Sequence, residues 1–184
     1  MEKQYQNHNA QMVIKRPGSG GGSLRVFDFT DKNEARGQMI LLIAVEASDK
    51  DNEKIIKTIA DELAKQFFNA PTNNIEFAFE NALARVNITI KDSLLTKPKN
   101  WLNKIHIVCL VARGQEVHLT AVGDMHAYLV HHDQIVDVIA PTAPAPQLRG
   151  REAGTMLART PNPVKLFSNI ISGRLLPQAA LILL

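Results

Sequence analysis

Asp124 has the strongest claim to chemistry in this chain. It follows Gly123 in the run Leu119 to Val130, Leu-Thr-Ala-Val-Gly-Asp-Met-His-Ala-Tyr-Leu-Val, between two apolar strand-like stretches. That spacing holds a carboxylate at a strand junction, where it can contact a metal ion or accept backbone hydrogen bonds within the turn. His106, His118, His126, His131 and His132 sit on strand-like segments without paired ligand spacing or nearby cysteines, so they are expected to be exposed strand residues. Ser168 and Ser172 have no base or acid in their sequence context to make either a nucleophile. The run Pro17-Gly-Ser-Gly-Gly-Gly-Ser23 is open to three readings: an engineered linker, a natural tether or a phosphate-cradling loop. The last requires a strand before it and a helix after it, and the flanking sequence predicts neither.

The elements that position these residues follow from hydrophobic periodicity. Residues 1–23 are polar, then rich in Gly and Ser, and are expected to be a flexible N-terminal tail ahead of a domain spanning 24–184. Arg25 to Thr30 and Gln38 to Ala47 read as a hairpin joined by the polar turn Asp31 to Gly37. From Asp49 the period changes to that of a helix. Ile55, Ile56, Ile59, Leu63, Ala64 and Phe67 form one face, and Asp49, Asp51 and Glu53 favour the positive helix start. Pro71 ends that helix. Asn73, with Glu76 three residues later, suggests a capped second helix whose stripe is Ile75, Phe79, Ala82, Leu83, Val86 and Ile90. Lys104 to Arg113, Gln115 to Val122, Met125 to His131 and Gln134 to Ile139 then predict an antiparallel meander with tight turns at Gly114 and at His132-Asp133. Prolines mark an irregular excursion from Pro141 to Pro163, followed by Val164 to Ser172 and the closing apolar run Ala179 to Leu184. Ending on Leu-Ile-Leu-Leu in mid-strand suggests that a longer natural protein continues beyond this point.

The chain has 184 residues, 45% of them hydrophobic and 21% charged, which suits one globular domain with a buried core. Its 21 basic and 18 acidic residues are interspersed, so no basic footprint for nucleic acid arises. Cys109 is the single cysteine and lies in the apolar run Ile105 to Val111. It is expected to act as a small buried hydrophobe in a reducing, cytoplasmic setting. No apolar run reaches the roughly 18 residues that span a membrane, so no membrane association is expected.

The segment Ala121-Val-Gly-Asp-Met-His-Ala-Tyr-Leu129 resembles the Val-Gly-Asp-Ser-Arg-Ala-Tyr-Leu element of the metal-dependent PPM-type (type 2C) serine/threonine phosphatases. Ala84-Arg-Val-Asn87 in the second helix is similar to that family's Ala-Asn. Leu166-Phe-Ser-Asn-Ile-Ile-Ser-Gly173, leading into Ala179-Ala-Leu-Ile-Leu-Leu184, continues the likeness, as does the order hairpin, two helices, meander, loop, short helix, strand. The resemblance covers Leu24 to Leu184. It implies an α+β fold: a four-layer α-β-β-α sandwich of two antiparallel sheets flanked by helices.

The resemblance also implies hydrolysis of phosphoserine and phosphothreonine by water activated between two Mn²⁺ or Mg²⁺ ions, a chemistry that needs several carboxylates. Where the family opens with Arg-x-x-Asn-Glu-Asp, this chain has Gly20, Ser23, Leu24 and Arg25. A rival register on Asn33-Glu34-Ala35 puts Ala35 at the ligand position. The family's Asp-Gly after the second strand reads Glu46-Ala47, and Trp101-Leu-Asn-Lys104 replaces its threonine pair. Glu46 and Asp124 are thus the two candidate metal contacts, Asp124 at an accessory third-metal position, and the family's last two aspartates would fall after Leu184. The expectation is a pseudophosphatase that binds no cofactor and acts as a binding or regulatory module for a protein partner, a phosphoprotein or a kinase. The alternative is a divergent Mn²⁺- or Mg²⁺-dependent serine/threonine phosphatase.

Overall fold

A computed structural model of the chain describes residues 5–14, 22–32, 35–45, 50–94, 105–139, 166–167 and 169–184. Alternating apolar residues set its first hairpin. Strands β2 (Gly22–Asp31) and β3 (Gln38–Val45) pair antiparallel from Ser23–Val45 to Thr30–Gln38. The turn between them closes through Asp31, whose N–H donates to the Gly37 carbonyl at 3.0 Å and whose Oδ2 accepts from the Arg36 N–H at 2.8 Å. Gly37 has φ 74° and packs so tightly on the neighbouring chain that a Cβ would strike the Ala112 carbonyl oxygen.

The same sheet extends into the segment expected to be a tail. Tyr5–Ile14 is a strand, β1, paired along its length with β2 from Tyr5–Asp31 to Ile14–Gly22. One side chain anchors its start. Tyr5 is buried, stacks on Phe68 at 4.9 Å and meets Phe29 edge-on at 5.5 Å.

The helices α1 (Lys50–Phe68) and α2 (Ile75–Leu94) follow the predicted stripes. Ile56, Ile59, Leu63, Ala64 and Phe67 are buried on α1, and Ile75, Phe79, Ala82, Leu83, Val86 and Ile90 on α2. They cover Phe27, Phe29, Met39, Leu41, Ile43, Ile107, Cys109 and Val111 of the sheet, giving one continuous core. Each fully buried aromatic or aliphatic side chain contributes about 2 kcal/mol. The cap of α2 lies one residue later than the sequence suggests: Asn74 Oδ1 accepts from the Phe77 N–H at 2.9 Å. Glu76 is thereby released from capping duty.

The predicted meander splits in two. Strands β4 (Ile105–Arg113) and β5 (Glu116–Val122) continue the first sheet, whereas β6 (Ala127–His131) and β7 (Gln134–Asp137) start a second. Gly123, at φ 73°, makes the break between them. The segment expected to contain a short helix instead delivers a strand, β8 (Ile171–Arg174), paired with β5, and β9 (Ala180–Leu183) pairs with β6. The six-stranded sheet has the order β1-β2-β3-β4-β5-β8, and the three-stranded sheet the order β7-β6-β9.

The sheets stack. Leu42, Val108, Leu110 and Leu119 on the back of the large sheet form a second core with Met125, Ala127, Leu181 and Leu183. The fold is therefore α+β, with helices on one face of the six-stranded sheet and the smaller sheet on the other. The outer face of the smaller sheet carries Tyr128, Ile135, Ile182 and Leu184, the last three exposed, and no helix of the described residues covers it.

Candidate functional site

Asp124 lies in the turn that carries the chain from the large sheet to the small one. Its N–H donates to His106 Nδ1 at 2.8 Å, which fixes the turn, while its side chain is 90% exposed. Gly123 is required here: a Cβ would lie 2.6 Å from His106 Nδ1 and 3.1 Å from the Ile105 carbonyl oxygen. Two residues on, His126 stands between two carboxylates. Its Nδ1 is 2.7 Å from Asp137 Oδ2, and its Nε2 is 3.9 Å from Asp124 Oδ1. Asp137 also accepts the Ile139 N–H at 3.0 Å through Oδ1, and the His126 ring stacks on Tyr128 at 5.8 Å. The Asp124 carboxylate is thus presented to solvent beside an imidazole that Asp137 orients.

Glu46, the other predicted contact, lies outside the described residues, as do Ser168 and residues 17–21 of the glycine run, whose last two residues, Gly22 and Ser23, open β2. The described part of β3 ends at Val45, paired with Ile105, whose carbonyl adjoins Gly123. The end of β3 and the Asp124 turn therefore share one end of the large sheet. Among the described residues, no group of three or more His, Cys, Asp or Glu side chains is arranged to hold a metal ion. Nor is any described helix long and apolar enough to cross a membrane.

A second polar cluster occupies the opposite end of β5, on the helix-facing side of the sheet. His118, expected to be exposed, is 3% exposed. Its Nδ1 is 2.9 Å from Ser172 Oγ on β8 and its Nε2 is 3.2 Å from Glu116 Oε1, while Ser172 Oγ donates to Glu76 Oε1 of α2 at 2.7 Å. Arg113 joins Glu116 at 3.3 Å and reaches the carbonyls of Ala35 and Asn73, tying both turns at that end of the fold to β5. Burial alone raises the Glu116 carboxyl, but the hydrogen bonds from His118 and Arg113 outweigh it and hold the group below the usual carboxylate value.

Ser172 therefore has basic neighbours that the sequence did not reveal, yet its hydroxyl proton is directed at Glu76. The signal was period two. Glu116, His118 and Thr120 share one face of β5, and that face meets α2 instead of water. Cys109, on the same face, is a buried free thiol whose pKa burial pushes well up, so it packs as a neutral hydrophobe.

Asn87, part of the sequence likeness, has a structural task. Its Oδ1 accepts the N–H groups of Leu166 and Phe167 at 2.8 and 3.0 Å, and its Nδ2 donates to the Phe167 carbonyl at 2.9 Å. Thr120 Oγ1 donates to the Asn169 carbonyl at 2.6 Å. Together they steer the chain along the helix layer into β8.

Comparison of the chain with protein-family models, curated proteins and solved structures gave no significant match.

Proposed function

We propose that the chain is a PPM-type phosphatase-like domain that serves as a binding or regulatory module and no longer hydrolyses phosphate. The observation that carries this reading is the Gly123-Asp124 turn: it links two stacked antiparallel sheets, one of them packed on a helix pair, and holds a solvent-facing carboxylate at their junction. The four-layer α-β-β-α form of the reading adds a helical layer over Ile135, Ile182 and Leu184. Loss of hydrolysis follows from residue type. Gly20, Ser23, Leu24 and Arg25, or Ala35 in the rival register, stand where oxygen ligands are needed, and a two-metal site cannot be assembled without them. The partner in this reading is a phosphoprotein or a kinase, and the lone buried thiol of Cys109 suits a cytoplasmic setting.

The divergent Mn²⁺- or Mg²⁺-dependent phosphatase remains the second reading. It is favoured by the open Asp124 carboxylate at the end of the sheet where β3 also finishes. A panel of phosphoserine peptides, added with and without Mn²⁺, separates the two. Amide shifts confined to residues 123–126 without release of phosphate support the module, and phosphate release supports the enzyme.

A further inference from the structure

The contacts Glu76 Oε1–Ser172 Oγ, Ser172 Oγ–His118 Nδ1 and His118 Nε2–Glu116 Oε1 form one continuous chain of 2.7, 2.9 and 3.2 Å that ends on a carboxylate at either side. Each contact needs a proton between its two heavy atoms, because otherwise two lone pairs face each other. Ionised Glu76 and Glu116 bring none. Ser172 brings one and a neutral imidazole brings one, so the chain is one proton short. An imidazolium completes it, donating from both nitrogens, while Ser172 donates to Glu76. Of these groups, imidazole is the one whose charge ordinarily changes between about pH 5 and 8.

We propose that His118 is a proton-operated latch: as imidazolium it fastens the edge strand β8 to β5 and to the first turn of α2, and on losing that proton it loosens β8. The strand is suited to release. It is four residues long, exposed throughout, lies at the end of the large sheet and, among the described residues, pairs with β5 alone, with Ser172 tying it to the helix layer. The charged groups around the ring lie on four elements. Glu116 on β5 meets it directly, and Glu76 on α2 is reached through Ser172. Arg113 of β4 already engages Glu116, and Arg174 of β8 stands opposite Glu116 in the register. Val111, the β4 neighbour of His118, is apolar, the Cys109 thiol is neutral, and Glu80 one turn further along α2 is exposed.

The test is amide hydrogen exchange by NMR, expressed as protection factors so that the intrinsic pH dependence of exchange is removed. The amide of Leu175, which donates to the Gln115 carbonyl at 2.8 Å, reports β8, and Leu41 in the centre of the sheet is the internal reference. Between pH 5.5 and 8.0 the protection of Leu175 is expected to fall about tenfold relative to Leu41, the value of one charge-assisted hydrogen bond. Glu76→Gln changes an exposed residue and supplies the missing proton. Its amide donates to Ser172, Ser172 to neutral His118, and His118 to Glu116, so the pH dependence should vanish while the fold is kept. A wild-type Leu175 that tracks Leu41 across this pH range overturns the latch, and so does a Glu76→Gln protein whose pH dependence equals that of the wild type.

Discussion

Replacing Asn87 by alanine isolates one polar clamp between α2 and the chain entering β8. The side chain makes three hydrogen bonds to the backbone of Leu166 and Phe167, and both of those side chains are buried in the helix-side core. At about 1 kcal/mol net per hydrogen bond, the loss is about 3 kcal/mol, and the better helix propensity of alanine returns about 0.5 kcal/mol. Water reaching this half-buried site recovers part of the remainder, which leaves an expected destabilisation of about 2 kcal/mol. Against a typical total of about 5–15 kcal/mol this is a large fraction. With a urea slope of about 2 kcal/mol/M for a chain of this size, the unfolding midpoint followed by circular dichroism should drop by about 1 M. Asn87→Asp keeps the acceptor for both N–H groups but sets a carboxylate oxygen against the Phe167 carbonyl. A midpoint for Asn87→Ala within about 0.25 M of wild type, or roughly 0.5 kcal/mol, would refute the clamp.

Three further outcomes can be checked on the same protein. Asn74→Ala should cost about 1 kcal/mol through loss of the α2 cap, while Asn73→Ala stays within about 0.5 kcal/mol, as read by urea titration. Gly114→Ala has open space around its Cβ and should cost only about 1 kcal/mol for its positive φ. Gly37→Ala, whose Cβ meets the Ala112 carbonyl oxygen, should cost several times more in the same titration. The Glu116 carboxyl is held below its usual value in the folded state, so its contribution to stability is present above the unfolded-state value and is lost as pH falls through the folded one. Glu116→Gln should accordingly flatten the acid limb of a stability profile between about pH 5 and 3.

What could be read from the sequence depended on how local the determining contacts are. The stripes of α1 and α2 repeat within a few residues, and every position they select is buried except the half-buried Ile55, with Ala60, Phe68 and Ala78 buried beside them. Strand β1 is hidden in the sequence because its Gln- and Asn-rich composition matches that of a solvated tail, and the contact that anchors its start is Tyr5 against Phe68, 63 positions along the chain (68 − 5). The split of the meander into two sheets is not visible in the sequence because the strand signals on either side of Gly123 are alike. Only the sheet-crossing geometry at its positive φ separates them. The burial of His118 is hidden for a similar reason: a polar face on a strand normally meets water, and here α2 supplies Glu76 from 96 residues before Ser172. The cap of α2 was displaced by one residue because Asn73 and Asn74 are chemically equivalent and only the backbone decides which accepts the Phe77 N–H. For the candidate site, the sequence placed Asp124 correctly at a strand junction, whereas its neighbours His106, His126 and Asp137 meet only once the two sheets stack.

The reading as a non-hydrolysing phosphatase-like module is tested most directly by Mn²⁺-dependent hydrolysis of a small aryl phosphate, measured on the folded chain alongside Glu46→Ala and Asp124→Ala. No turnover above the metal-only background is expected from any of the three proteins. Turnover by the unaltered chain that either substitution abolishes would contradict it and make this a working metal-dependent phosphatase.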